Sequence, residues 1–183
     1  MEQTVVLIKP DGVKRGLIGE IVHRFERMGL KIVAMKMIVP TKTLLDKHYQ
    51  TDKESTVVRI GNKTLDTYKK YGKDAKKEFG TDDPAKLGAM VVGWLLDFMI
   101  SCPVVAMVVE GKHAVENVVN LAGPTMPVNA PAGTIRGDFS TDSAAYANEE
   151  RRAVENVVHI SASIEEANFE KNLWFSPSEI HKY

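Results

Sequence analysis

Apolar residues fall into two patterns along this chain, short unbroken runs and runs at helical spacing. Thr4–Ile8 (TVVLI) is a β-branched run stopped by Pro10-Asp11-Gly12, which predicts a buried strand followed by a turn. Ile18, Ile21, Val22, Phe25 and Met28 then recur at helical spacing, and Gly29 supplies a left-handed cap. Leu30–Val39, ending at Pro40, predicts the second strand. Leu44, Leu45 and Tyr49 predict a further helix. The charged stretch Thr51–Thr81, anchored by Tyr68, Tyr71 and Phe79, predicts a peripheral helical insertion. Thr81-Asp82-Asp83-Pro84 carries the cap and first-turn proline of a helix that runs to about Ile100.

Pro103–Glu110 (PVVAMVVE) is apolar without alternation, which predicts a strand buried on both faces. A helix over Ala114–Leu121 ends at Gly123. The loop Pro124–Asp138 follows, then a helix over Ala144–Arg152, a short strand Asn156–His159 and a closing helix Ser163–Trp174. Four strands and two core crossover helices predict an α+β fold. The expected form is a ferredoxin-like βαββαβ sandwich, with a four-stranded antiparallel sheet, helices on one face and a peripheral helical insertion. A doubly wound parallel sheet is the alternative, and the lack of a glycine-rich loop after strand one counts against it. One domain over residues 1–183 is expected, because 183 residues suit one core better than two.

Charge narrows the function. Lys+Arg and Asp+Glu are both 24, so the formal net charge is zero, which argues against a chain built to coat nucleic acid or an anionic membrane. Val91–Val109 is apolar enough to suggest a membrane span, but Asp97 and Pro103 interrupt it. The single cysteine, Cys102, excludes an intramolecular disulfide and no metal-ligand spacing is present, so a buried thiol in a reducing cytoplasm and no protein-held metal are expected. Met1–Thr4 lacks the features of a secretion signal.

Candidate chemistry lies at strand ends and in the long loop. Gly61-Asn62-Lys63-Thr64 is no P-loop, because the earlier glycine is missing. Lys9 ends strand one, where a lysine can meet a phosphate as a point charge or sit on the surface before a turn. Loops beyond about 12–15 residues are usually functional or disordered, and the prolines of 124–138 argue for order. Arg136 in that loop offers a planar fork to phosphate oxygens. His159 lies between Asn156 and Ser161. As a nucleophile it needs one free ring nitrogen and an acceptor on the other, and Glu170 on the following helix can be that acceptor directly or through Ser161.

At these residues the chain resembles the nucleoside diphosphate kinase family. The matching stretches are Thr4–Gly19, His48-Tyr49, Pro103–Gly111, Pro131–Phe139 (PAGTIRGDF), Asn156–Ser161 (NVVHIS) and Leu173-Trp174-Phe175. The resemblance implies Mg²⁺-bound nucleoside di- and triphosphates such as ATP as substrates, ping-pong transfer of the γ-phosphoryl group, and a homo-oligomer, usually a hexamer. Carried over by position, His159 takes the phosphoryl group, while Lys9 and Arg136 stabilise phosphate charge. Tyr49 and Thr125 supply hydroxyls, Asn156 contacts the sugar, and Ser161 and Glu170 orient His159. The family's base-stacking phenylalanine becomes Val91 and a phosphate-binding arginine becomes Val119. Extra residues fall at about 51–85 and 140–151, and Arg151 and Arg152, at the end of the helix expected over Ala144–Arg152, either cap that helix's C-terminus or replace the lost charge. A phosphohistidine phosphatase or mutase, and a nucleotide-binding regulatory protein, are the competing classes.

Overall fold

Alternate residues of the central strands feed two separate cores, one on each face of a four-stranded sheet. The computed structural model describes all 183 residues. In chain order it contains β1 (Glu2–Ile8), α1 (Pro10–Lys14), α2 (Ile18–Arg27), β2 (Lys31–Ile38), α3 (Lys42–Tyr49), α4 (Glu54–Lys70), α5 (Ala75–Phe79) and α6 (Pro84–Ile100). Then come β3 (Val104–Gly111), α7 (Ala114–Ala122), α8 (Ile135–Phe139), α9 (Ala144–Glu149), β4 (Val158–Ile160) and α10 (Ile164–Trp174). The sheet order is β2-β3-β1-β4 and every pairing is antiparallel. This is the expected ferredoxin-like order.

Val6, Ile8, Val105, Met107 and Val109 project to one face, against Ile21 and Phe25 of α2 and Ala114, Val118 and Ala122 of α7. Val5, Leu7, Val104, Ala106 and Val108 project to the other, against Leu45 of α3, Met99 of α6, and Trp174 and Phe175 at the end of α10. Each large aliphatic or Phe side chain fully buried in this way contributes about 1.5–3 kcal/mol. The two-sided core explains why β1 and β3 are apolar at consecutive positions. It also corrects the expectation of helices on one face: α3, α6 and α10 cover the second.

Local signals account for most element ends. Asp83 caps α6 by accepting from Ala85 N at 2.8 Å, with Pro84 in the first turn. Ser163 caps α10 by accepting from Glu166 N at 3.1 Å. Residues 51–81 are helical as expected, with α4 packed on α6. Four local readings need correction. Pro10-Asp11-Gly12 forms the first turn of α1, with proline at the position where no backbone N–H is needed. The stretch 124–138 contains a 3-10 turn at Pro127–Asn129 and the start of α8. Helix α9 stops at Glu149, and Arg151 has a φ of 52° that no helix continues. The Cys102 thiol is half-buried rather than buried. No helix is long and apolar enough to cross a membrane.

Candidate active site

Strand register brings the two ends of the chain to one rim. Leu7 pairs with His159 and Ile8 with Val158, so Lys9, the next residue of the β1 end, lies beside Val157 and donates its backbone N–H to Val157 O at 2.8 Å. His159 shares Leu7's face of the sheet, where α3 and α10 pack. That choice of face hands it Glu170 and His48.

Val157 sits at φ 68°, a conformation that a β-branched residue adopts only under constraint. Three hydrogen bonds hold it: Val157 N donates to Asp11 Oδ2 at 2.9 Å, Lys9 N donates to Val157 O, and Val158 N donates to Asn156 O at 2.7 Å. A side chain at Gly12 would meet Ile8 Cγ2 at 2.8 Å and Val157 O at 3.2 Å, so glycine is what allows this approach. The turned backbone takes Asn156 and Val157 out of the ladder, which is why β4 begins at Val158 rather than at Asn156.

The His159 ring is fixed at one nitrogen. Its Nε2 lies 2.7 Å from Glu170 Oε1, and Ser161 Oγ donates to Glu170 Oε2 at 2.6 Å. A carboxylate only accepts, so Nε2 carries the proton and Nδ1 carries the lone pair. Glu170 is 1% exposed. Burial raises its carboxyl pKa, while His48 and the Ser161 hydroxyl hold it back. Burial pushes the His159 imidazole down to about 3; Lys9 and Arg136 act in the same direction and Glu166 opposes them. The ring is therefore neutral at neutral pH, with the Nδ1 lone pair unprotonated.

His48 was not expected here. Its ring centre lies 4.3 Å from that of His159, edge to face, and its Nδ1 accepts from Trp174 Nε1 at 3.1 Å. The resemblance marked His48-Tyr49 as a pair, and helical spacing from Leu44 and Leu45 was the further signal that could have turned it inward. Burial, His159 and Lys9 push its pKa to about 3 against the pull of Glu170, so it stays neutral and is no proton shuttle near pH 7. The metal-ligating atoms of His48, His159 and Glu170 lie within 4.8 Å of one another. A metal there would have to displace the Trp174 and Glu170 hydrogen bonds.

Two cations face the same space without a carboxylate bonded to either. Lys9 Nζ donates to Asn156 Oδ1 at 2.8 Å, and Asn156 Nδ2 donates to Thr125 O at 2.9 Å. Arg136 donates from Nη1 to Gly123 O at 2.5 Å and from Nη2 to Val158 O at 2.9 Å, and its buried Nε has no partner. Arg136 owes its place to α8, capped by Thr134, and to Gly137, whose added Cβ would lie 2.1 Å from Pro131 O. Burial lowers Lys9 to about 8, with Asp11 opposing and Arg136 adding, and lowers Arg136 to about 10. Asp11 offsets Lys9 only in part and Arg136 bonds carbonyl oxygens alone, so two costly buried cations remain and the arrangement is complementary to an anion.

Lys9, Tyr49, Val91, Thr125, Arg136, Asn156 and His159 line one cavity of about 420 Å³. Ser161 and Glu170 lie behind His159. The Tyr49 hydroxyl is buried without a partner, and burial with Glu170 raises its pKa. Val91 shares the cavity's apolar wall with Ile60, Val92 and Leu95. Val119 does not line it and faces a separate cleft with Glu2 and Ser163. Asn148 and Arg152 are cavity residues as well. A separate cleft of about 600 Å³ does not include His159, and its four carboxylates, Asp138, Asp142, Glu150 and Glu155, outnumber its two guanidinium groups, Arg15 and Arg152, which suits it poorly to an anion.

The family model for nucleoside diphosphate kinase matches residues 2–59 and 87–180. The break at 60–86 falls on most of α4, on α5 and on the first turn of α6, largely within the expected insertion, whereas 140–151 lies inside the matched range. A nucleoside diphosphate kinase from Pyrobaculum aerophilum is 45% identical over 180 residues, covering 98% of each chain. One from Pyrococcus furiosus is 40% identical over all of this chain and 88% of its own. The crystal structure of the Pyrobaculum aerophilum enzyme aligns over 99% of each chain with a TM-score of 0.93. That of a Borrelia burgdorferi nucleoside-diphosphate kinase, a transition-state mimic with vanadate and ADP, aligns over all of this chain and 91% of its own, with 38% identity and a TM-score of 0.77. With its sheet order, its buried cations and these matches taken together, the chain belongs to the nucleoside diphosphate kinase family.

Proposed function

We propose that His159 carries the γ-phosphoryl group of a nucleoside triphosphate to a nucleoside diphosphate in two displacements. The Nδ1 lone pair attacks the γ-phosphorus, and the bond from that phosphorus to the β,γ-bridging oxygen breaks. The nucleoside diphosphate leaves with the electron pair. A second nucleoside diphosphate then attacks the phosphohistidine through its terminal oxygen and regenerates Nδ1. The observation that carries this reading is the pair of buried cations, Lys9 and Arg136, neither bonded to a carboxylate, beside a neutral imidazole whose other nitrogen is held by Glu170. Charge in such a transition state spreads over the equatorial oxygens, so positioning and positive charge supply most of the catalysis.

Asn156 holds Lys9 and is set to meet the sugar; the Thr125 and Tyr49 hydroxyls face the phosphates and the histidine. Mg²⁺ enters as part of the nucleotide substrate. Glu166 is the only carboxylate lining the cavity, so the metal is held by phosphate oxygens and water rather than by a protein cage. The chain works as one domain over 1–183 in a reducing cytoplasm, where the Cys102 thiol stays free. It assembles as a homo-oligomer, in keeping with a family hexamer. Edge strand β2 leaves Met35 and Met37 exposed, with Val39 just beyond it, and an open apolar edge is suited to a second copy. Light scattering that finds a fully active monomer would contradict the assembly.

The test of the reaction uses γ-labelled ATP. Labelled protein should form, and adding GDP should move the label into GTP. His159→Ala should lose both steps with its fold intact, and Glu170→Ala should keep more activity because it orients the nucleophile rather than being it. Normal GTP formation by folded His159→Ala overturns the assignment, and release of labelled inorganic phosphate alone makes the protein a phosphatase.

A further inference from the structure

The cavity contains a side-chain amide that phosphoryl transfer leaves unused. Asn148, near the end of α9, is 4% exposed, and its side-chain amide has no hydrogen-bond partner in the chain. It is not sealed in the core, because it lines the same cavity as His159. Its polar atoms are therefore open to whatever enters the cavity, and a ligand that pairs with them replaces water there.

The position of α9 says which part of a ligand it meets. Helix α9 packs against α4, which carries Ile60, and α4 packs against α6, which carries Val91, Val92 and Leu95. Asn148 therefore stands at the apolar end of the cavity, while Lys9, Arg136 and His159 form the charged end. A nucleotide with its phosphates on the cations lays its flat base against Ile60, Val91 and Leu95. The segment around α9 is held firmly enough to place a side chain. Arg152 grips Asp142 through both terminal nitrogens, Asp142 Oδ2 also accepts from Glu155 N at 2.8 Å, and the Ser140 hydroxyl donates to Glu155 O.

We infer that Asn148 hydrogen-bonds the polar edge of the nucleobase and supplies base affinity where Val91 offers no aromatic face. This rests on the cavity being the nucleotide site. A carboxamide has both a donor and an acceptor and can turn over, so it pairs with the amino group of adenine in one orientation and the keto group of guanine in the other. Such a contact strengthens binding of either base while discriminating weakly between them. Arg152 is less suited to the role, since Asp142, Glu150 and Ala153 O already occupy four of its five N–H groups.

The test is calorimetric binding of ADP, GDP and ribose 5′-diphosphate to the unsubstituted protein and to Asn148→Leu. Loss of the contact should weaken ADP and GDP by about three- to ten-fold and leave ribose 5′-diphosphate unchanged. Asn148→Ala, which asks for no new space, gives the same readout should leucine disturb α9. Unchanged ADP affinity in the folded variants overturns the inference. An equal loss for ribose 5′-diphosphate overturns it too, because the amide would then serve the sugar or phosphates. Binding is read without turnover, so a protein that binds ADP but transfers no phosphoryl group refutes the reaction and leaves this result intact.

Discussion

The Asp11 carboxylate accepts from Val157 N at 2.9 Å and so pins a β-branched residue at φ 68°, two positions before His159. Strain of this kind costs on the order of 1–3 kcal/mol and persists only where its surroundings over-determine it. Here it directs the strand that carries His159, the proposed nucleophile, and Asp11 is part of that constraint without lining the cavity.

Asp11→Ala should therefore reduce both stability and turnover. It leaves a buried backbone N–H unpaired, at about 1–3 kcal/mol, which for a chain of this size lowers the melting temperature by roughly 2–10 °C. Phosphohistidine formation should slow at least about ten-fold as His159 leaves its set position. Asp11→Asn, whose side-chain oxygen can still accept from Val157, should keep most of both. Full activity in Asp11→Ala would show that Val157 needs no anchor.

The contrast between Asp11 and Lys9 shows how far the sequence could be read. Lys9, Arg136, Asn156 and His159 were legible because strand ends, a stiff loop and a neighbouring acceptor each leave a local mark. Asp11 left none: Pro10-Asp11-Gly12 has the composition of a turn, and only the β1–β4 register brings it to Val157. The same holds for His48 and Asn148, whose roles depend on α3 and α9 packing against distant elements. Strands β1 and β3 were legible from unbroken apolarity, which also marked β3 as buried on both faces. Which helices lay on those faces was not, since one helix's periodicity says that it has a partner and not which one. Charged, Ala-containing sequence continues past Glu149 and carries no mark of the end of α9, whereas the chain turns left-handed at Arg151.

Lys9 gives the free protein two opposite responses to alkali. Burial holds its pKa at about 8 in the fold, against an ordinary 10.5. Between those values the unfolded chain binds a proton that the folded protein has released, so this group's contribution to stability rises with pH, by on the order of 3 kcal/mol across the window. Nucleotide affinity should fall over the same range, because the cation facing the phosphates is lost. Melting curves of wild type and Lys9→Met, with and without ADP, separate the effects from pH 7.5 to 10.5. The wild-type gain on adding ADP should shrink above about pH 8, while the ADP-free protein gains stability relative to Lys9→Met. An ADP effect that stays constant to pH 10 would mean that Lys9 does not face the phosphates.

Arg151 and Arg152 were candidates to replace the charge missing at Val119, and the structure separates them. Arg151 is exposed at φ 52°, beyond the end of α9. Arg152 lines the cavity, but Asp142 and Glu150 both bind its guanidinium, and Asp142 is the more buried partner. Its charge is thus compensated within the chain, and the ion pair ties Arg152 back to the start of the 142–155 segment. Removing it leaves a largely buried carboxylate without its cation, so Arg152→Ala should lower the melting temperature by roughly 2–6 °C, taking about 1–2 kcal/mol for a partly exposed charged contact. Ribose 5′-diphosphate, which samples only the charged end of the cavity, should bind that variant within about two-fold of wild type. Arg151→Gly should leave binding alone and raise stability slightly, since glycine accepts the left-handed backbone without penalty. If Arg152→Ala instead keeps its melting temperature and loses ribose 5′-diphosphate about ten-fold, the guanidinium leaves Asp142 for the phosphates and does replace the missing arginine.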